Sequence, residues 1–163
     1  MKKFIVLLLV LLPMGAFSQE MKMAFVDFSD VFDVMPELDE AETKFAAIQA
    51  MYTEQINALQ TELNAKYDEY MKIEADLPEN LKLRRQQEIQ ELNDRYQNFI
   101  PQANQDLEQE RDKLMIPIQE KILNAIKAVG EEQGYAILNS QVFFHTGPII
   151  DATPLVKAKL GIR

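Results

Sequence analysis

The chain has 163 residues and a formal net charge of −9, with no cysteine and a single histidine. The absence of cysteine excludes disulfides, thiolate metal sites and a lipid-modified N-terminal cysteine. The acidic balance argues against general nucleic-acid binding, which needs a basic surface to meet the phosphates.

Residues 1–18 have the pattern of a secretory signal peptide. Lys2 and Lys3 precede a run of nine apolar residues at 4–12, and the small residues Ala16 and Ser18 stand before Gln19. A membrane anchor is the alternative, but this run is much shorter than the roughly 20 residues that a spanning helix needs. We therefore expect cleavage before Gln19 and an exported, soluble mature chain without a membrane span.

The mature chain is predicted to begin with a short buried strand. Residues 23–28 form an apolar run with β-branched and aromatic side chains, which is typical of such a strand. Ser29 is predicted to cap a following helical turn that contains Val31 and Phe32. Pro36 then stands where the first turn of a helix tolerates a proline.

Residues 37–133 carry the clearest pattern in the sequence, and they contain no glycine before Gly130. Apolar residues recur at spacings of three, four and four on both sides of a break at 76–80. This is an 11-residue repeat, which fits better than a heptad and predicts nearly straight apolar stripes on two helices. The proline-containing break folds them into an antiparallel hairpin that projects about 55–60 Å at 1.5 Å per residue. We call this hairpin the arm.

The predicted stripe is interrupted only by Arg111. It consists of Phe45, Ile48, Tyr52, Ile56, Leu59, Leu63, Tyr67 and Tyr70 on the ascending helix, and of Ile89, Leu92, Tyr96, Ile100, Ala103, Leu107, Leu114, Ile118, Ile122, Ala125 and Val129 on the returning helix.

Two prolines, Pro101 and Pro117, fall within the returning helix. Each removes one backbone hydrogen bond, to the carbonyls of Gln97 and Lys113, and each predicts a bend. The stripe stays in phase through both prolines, which indicates kinks within one helix. A flexible arm and a fixed curvature are both consistent with this pattern.

The arm is acidic except near its tip. Between Asp39 and Gln133 it contains 20 acidic and 11 basic residues. The tip carries a basic cluster, Lys82, Arg84 and Arg85. One interpretation pairs these side chains with Glu74, Asp76 and Glu79 across the hairpin, each exposed pair being worth about 0–1 kcal/mol. The other is contact with an anionic surface or client.

After the arm, the chain is predicted to form a small β-rich body. Gly134 suits the left-handed residue past a helix end. Strands are predicted at 135–138 and 142–144, and Thr153 is predicted to cap a terminal helix at 155–160. The predicted fold is α+β and mostly α, with a body of residues 19–36 and 134–163. Such short strands bury little surface, so an oligomer that pools strands from several copies is expected.

The order of these segments resembles the Skp/OmpH family of periplasmic chaperones. The resemblance lies in residues 22–27, Pro36-Glu37, the long hairpin, 117–129, Gly134-Tyr135 and 150–153. It implies a homotrimer whose helical arms surround a cavity and hold unfolded outer-membrane proteins without ATP. It also assigns the residues of the association body: Phe25, Val26, Phe28, Val31, Phe32, Ala136, Ile137, Leu138, Val142, Phe143 and Phe144.

Apolar residues beside the stripe are candidates for client contact: Met51, Met71, Ile73, Phe99, Met115 and Ile116. Methionine suits a surface that must accept many sequences, because its side chain is flexible and polarizable. The alternative is that each of these residues only widens the seam between the helices.

Enzymatic function has little support in the sequence. The single histidine, His145, has no cysteine or second histidine for metal or nucleophilic chemistry, and no cofactor is expected. The main alternative to a chaperone is a structural coiled-coil spacer or scaffold of the cell envelope that binds one defined partner. A prefoldin-like cytosolic chaperone is disfavoured by the signal peptide.

Overall fold

The computed structural model describes residues 22–139 and 149–162. The elements in chain order are β1 (Lys22–Val26), α1 (Phe28–Phe32), α2 (Pro36–Ile73), a 3₁₀ turn (Glu74–Asp76), α3 (Glu79–Gln133), β2 (Tyr135–Asn139), β3 (Ile150–Asp151) and α4 (Thr153–Leu160). The predicted α+β fold with one long helical hairpin is confirmed. The predicted signal peptide, the strand at 142–144 and His145 lie outside the described residues.

The arm consists of α2, with 38 residues, and α3, with 55 residues. As predicted, α2 opens on Pro36, and its first turn carries Glu37 and Asp39, whose charges favour the positive end of the helix dipole. Helix α3 ends at Gly134, which has a φ of 66° and donates its N–H to the Gly130 carbonyl. Because α3 is the longer helix, its last turns extend beyond the start of α2 and cover the body.

The apolar stripes of α2 and α3 face each other along the arm. The predicted stripe residues are buried or half-buried except for Tyr67 and Arg111. Leu92 and Ala103 are the most enclosed members in the middle of α3. The 11-residue repeat therefore describes the seam correctly, and Arg111 points to solvent where the repeat is broken.

Helix α3 runs without interruption through Pro101 and Pro117. The expectation that neither proline ends the helix is confirmed. The bends at these two positions stay predictions.

The strands form one parallel sheet in the order β2-β1-β3. Strand β1 pairs with β2 over five residues, from Lys22 opposite Tyr135 to Val26 opposite Asn139. It pairs with β3 over two residues on its other side. Parallel neighbours need a long crossover connection, and the whole arm is the crossover between β1 and β2.

The hydrophobic core lies at the base of the arm and draws on β1 and on all four helices. Strand β1 turns Ala24 and Val26 inward, as the two-residue period of a strand requires. Most of the remaining core comes from helices, and α3 supplies its largest share. These helical residues are Val31, Ala41, Ile118, Ile122, Ala125, Val129 and Val156. The core thus includes stripe residues that the sequence assigns to the arm.

The structure corrects two assignments near the end of β1. The strand stops at Val26, so Phe28 lies in α1 and not in the predicted strand. The cap of α1 is Asp27, whose carboxylate accepts a hydrogen bond from the Asp30 N–H at 3.1 Å, and not Ser29. The aspartate takes this role because it stands two positions before Ser29, directly before the first helical residue, where the extended backbone turns into the helix.

Thr153 is the first residue of α4 and not its cap, which is Ala152. Its hydroxyl accepts a hydrogen bond from the Asp27 N–H at 3.0 Å. Its own N–H donates to the Asp151 carboxylate at 2.9 Å. Thr153 therefore ties the C-terminal helix to the end of β1, which explains why this polar residue is buried.

Candidate functional site

A hydrogen-bonded tyrosine closes the tip of the arm. Tyr70 is only 6% exposed, and its hydroxyl donates to Glu74 Oε1 at 3.0 Å. The same hydroxyl accepts a hydrogen bond from Gln86 Nε2 of α3 at 2.9 Å. Burial and the bond to Glu74 raise the pKa of the Tyr70 phenol. The protonated hydroxyl therefore links both helices and fixes their register at the turn.

The basic cluster at the tip is paired along one helix and not across the hairpin. Arg84 Nε lies 3.2 Å from Glu88, and Arg85 contacts the same carboxylate at 3.1 Å. The predicted pairing with acidic residues of the turn is thus wrong for both arginines, because spacings of three and four residues bring Glu88 closer. Lys82 forms no ion pair within the described ranges.

Two contacts hold α2 and α3 together in the middle of the arm. The Tyr52 ring packs against Phe99 with centroids 6.2 Å apart, and its hydroxyl donates to Asp106 at 3.2 Å. Partial burial is the main cause that raises the pKa of the Tyr52 phenol, and the hydrogen bond to Asp106 raises it further. Nearer the tip, Arg95 pairs with Glu62 at 3.3 Å.

An ion pair between Glu37 and Lys121 joins the two helices at the root of the arm. The hydrogen bond from Lys121 lowers the pKa of Glu37. The second carboxylate oxygen, Oε2, is buried and has no partner among the described residues. A small cavity of about 270 Å³ lies here, between the first turns of α2 and the α3 segment around Pro117.

The body is further held by ion pairs from α4. Lys157 contacts Asp30 at 2.8 Å, and Lys159 pairs with Glu132 near the end of α3. Both pairs join residues that are far apart in the sequence. They connect the C-terminal helix to α1 and α3.

An open groove of about 840 Å³ lies at the base between α3 and β2. Its apolar lining includes Leu123 and Ile126 of α3, and Tyr135 and Ile137 of β2. Leu123 is 55% exposed, and residues 135–138 are all half-buried, so neither face of β2 is fully covered. We call this feature the base groove.

The predicted client-contact residues lie at three levels of the arm and form no single patch. Met51, Met71, Ile73 and Ile116 are exposed by 61%, 50%, 37% and 47%. Phe99 and Met115 are half-buried within the chain, against Tyr52 and against the base core.

On α3, three further exposed apolar residues were not among the candidates drawn from the sequence. They are Leu81, Leu83 and Leu123, exposed by 42%, 56% and 55%. All three lie on α3 away from the 11-residue stripe. Their off-stripe position is the signal that would have identified them.

The described residues contain no group of acidic or histidine side chains arranged to hold a metal ion. Among the same residues, none of the helices combines the length and apolar character that crossing a membrane requires. What the structure offers is a long two-helix surface with scattered exposed apolar side chains above a groove at the base.

Comparison with curated proteins found no match. A family model described as "Outer membrane protein (OmpH-like)" matches residues 22–160, from the first residue of β1 to the last residue of α4. The match covers both the body and the complete arm, and it confirms the resemblance drawn from the sequence. The chain therefore belongs to the OmpH-like family, a family of periplasmic chaperones for outer-membrane proteins.

Proposed function

We propose that the chain is an ATP-independent holdase that binds unfolded outer-membrane proteins in a cavity between the arms of a homotrimer. The observation that carries the proposal is the arm, most of which projects away from the core of the body. That core uses only residues at the root of the arm, Ala41 of α2 and 118–129 of α3, so the upper part of the arm is not needed to stabilise it. Its surface is therefore available for other polypeptides, and the family match gives the kind of polypeptide.

The base groove supports association between copies. Strand β2 pairs only with β1 among the described strands, and the groove beside it exposes Leu123 and Ile137. A second copy seated here would bury this apolar lining. Three copies related by a closed rotation give three arms around one space. The acidic balance of the arms keeps them apart by repulsion.

Exposed methionine and isoleucine side chains support weak, distributed contact with clients. Met51, Met71, Ile73 and Ile116 are exposed outside the seam. Contacts of this kind suit a holdase, because flexible side chains adapt to clients of different sequence. Phe99 and Met115 belong to the same proposed set but also stabilise packing within the chain. We place the mature N-terminus at Gln19, after signal cleavage in the periplasm.

Light scattering of the chain from Gln19 tests the proposal directly. The chain alone should have the mass of three copies, and it should keep a urea-unfolded outer-membrane β-barrel protein soluble after dilution without ATP. A spacer or scaffold would leave the client to aggregate and would retain one defined partner from an envelope extract. That result would overturn the proposed function.

A variant with serine at Met51, Met71, Ile73 and Ile116 tests the contact residues. The matched control places serine at Ala46, Ala47, Ala58 and Ala65, which are also exposed on α2. We expect the first variant to lose suppression of aggregation while helicity and copy number are kept, and the control to lose nothing. Equal suppression by both variants would remove these four residues from the client-contact surface.

A further inference from the structure

The middle of the arm differs in charge from the rest. Residues 52–61 of α2 and 96–105 of α3 contain one charged side chain, Glu54, in a chain of which 26% is charged. The two stretches lie opposite each other: Tyr52 bonds to Asp106 at one end, and Glu62 pairs with Arg95 at the other. They form a band about 15 Å long at 1.5 Å per residue, which is uncharged except for Glu54. We call it the amide collar.

The surface of the amide collar consists mainly of carboxamide side chains. Gln55, Asn57 and Gln60 are exposed on α2, and five more glutamines and asparagines are exposed between 97 and 105 on α3. None of these amide groups has a hydrogen-bond partner within the described part of the chain. Outside the collar, Gln86 and Gln90 are bonded to Tyr70 and Asp94, whereas Gln87 and Gln109 are unbonded within the described residues and stand among charged side chains.

Two threonine hydroxyls of the collar are already satisfied by the helix itself. The hydroxyls of Thr53 and Thr61 donate to the carbonyls of Gln49 and Asn57 at 2.8 and 2.7 Å. These threonines therefore do not compete for the carboxamides. The Glu54 carboxylate and the Tyr96 hydroxyl have no partner within the described residues, but the eight amide side chains hold most of the collar's unsatisfied hydrogen-bonding capacity.

Pro101 adds a backbone acceptor at the same level of the arm. A proline has no N–H, so the Gln97 carbonyl lacks its usual helical donor. Both Gln97 and Pro101 are exposed. The collar therefore presents donors and acceptors together, whereas α3 on either side carries exposed charged side chains such as Arg95, Glu108 and Arg111.

A carboxamide offers two donor hydrogens and an acceptor oxygen, the same groups as a peptide bond. An unfolded polypeptide exposes peptide groups that no secondary structure has yet paired. A carboxylate can only accept and an ammonium can only donate, so neither matches both groups. An uncharged surface also neither attracts nor repels a client according to the sign of its charge.

We propose that the amide collar hydrogen-bonds to the exposed main chain of an unfolded client, independently of the client's side-chain sequence. The inference rests on the proposed holdase function and adds a specific contact surface to it. It complements the exposed apolar residues, because those bind side chains whereas the collar binds peptide groups. Met51 lies directly beside the collar on α2.

Two sets of substitutions with equal charge test the collar. The collar set is Gln60→Glu, Gln102→Glu and Gln105→Glu, and the control set is Gln87→Glu, Gln109→Glu and Gln119→Glu. All six glutamines are exposed helix positions, and glutamate has nearly the same shape and helix propensity. A third set, with methionine at the three collar positions, keeps the length of the side chains but removes their hydrogen bonds.

Affinity for a fluorescently labelled, urea-unfolded outer-membrane β-barrel protein is measured by anisotropy on the chain from Gln19. Circular dichroism and light scattering verify helicity and copy number. We expect both collar sets to bind about tenfold or more weakly than the unaltered chain, since three hydrogen bonds of ordinary strength are lost. The control set should bind within about twofold of the unaltered chain.

The outcomes separate the collar from the proposed function. An unaltered chain that does not bind the client overturns both. Equal binding by the unaltered chain and the collar sets overturns the collar alone. Tighter binding by the methionine set also overturns it, because apolar contact would then dominate. The collar proposal is also overturned if the collar sets change only the copy number, because the amide groups would then contact neighbouring arms and not the client.

Discussion

Adjacent residues on α3 separate the core of one chain from the surface between chains. Ile122 is fully buried in the base core, whereas Leu123 is 55% exposed in the base groove. Ile122→Ala removes three carbon atoms from a closed site, and we expect it to lower the free energy of unfolding by about 3 kcal/mol. Leu123→Ala removes atoms that are already half in water, so its cost within one chain should be about 1 kcal/mol or less.

Urea unfolding followed by circular dichroism, at several protein concentrations, measures both effects. The Ile122 variant should unfold at lower urea at every concentration, because its defect lies within the chain. The Leu123 variant should lose mainly the part of its stability that rises with concentration, because association stabilises the folded state by mass action. Light scattering should then show a weaker oligomer for Leu123→Ala.

Two results would refute this reasoning. A cost below about 1 kcal/mol for Ile122→Ala would show that α3 does not close the core at this position. Unchanged association of the Leu123 variant, together with an unfolding midpoint as low as that of Ile122→Ala, would show that the leucine belongs to the chain's own core. The proposed role of the base groove would then have no support.

Three further substitutions test the arm and its end. Tyr70→Phe loses both hydrogen bonds of its hydroxyl and should cost about 1 kcal/mol in urea unfolding; an unchanged midpoint would contradict the tip contact. Glu37→Gln should lower thermal stability slightly at pH 7, by at most about 1 kcal/mol for this half-exposed pair. Because Lys121 lowers the pKa of Glu37, that stabilisation is present above the ordinary pKa of glutamate and is lost as the pH falls below it. The difference from the unaltered chain should therefore shrink as the pH falls below the ordinary range of glutamate, and a difference that grew on acidification would reverse the assigned sign. Gly134→Ala, at a φ of 66°, should cost about 1–2 kcal/mol by thermal unfolding, although no atom stands within 4 Å of the added carbon.

The local features of the arm could be predicted because they depend on periodicity and backbone chemistry. The repeat placed residues such as Tyr70 and Leu92 in the seam, where they are buried. Pro36 and Gly134 marked the start of α2 and the end of α3 by their own conformational limits. The break in the repeat at 76–80 predicted the tip of the arm, and the turn between α2 and α3 lies there in the structure.

The sequence could not predict which elements pack against each part of the stripe on α3. Periodicity shows that a helix face is apolar but does not identify the element that covers it. Ile122, Ala125 and Val129 continue the same pattern as Leu92, yet they belong to the base core together with residues of β1, α1 and α4. The parallel order of the strands likewise depends on contacts between distant residues. The cap at Asp27 was missed because Ser29 offers a similar oxygen acceptor two residues later.

The exposure of the candidate client-contact residues could not be predicted from the spacing either. A position beside the stripe is exposed or covered according to the bulk of its neighbours, which the spacing does not contain. Phe99 is half-covered because the Tyr52 ring lies across the seam, whereas Met51 has no such neighbour and is 61% exposed. Both residues flank the stripe in the sequence.

The parallel pairing of β1 with β2 has a consequence for the order of folding. Tyr135 reaches its place opposite Lys22 only after more than a hundred intervening residues have turned back on themselves. Closing that loop in an unstructured chain is slow, whereas the short turn after Ile73 closes quickly and lets the helices zip towards the base. The arm should therefore form first and bring β2 next to β1. Folding would then begin at the tip, the part of the native structure that lies farthest from its core.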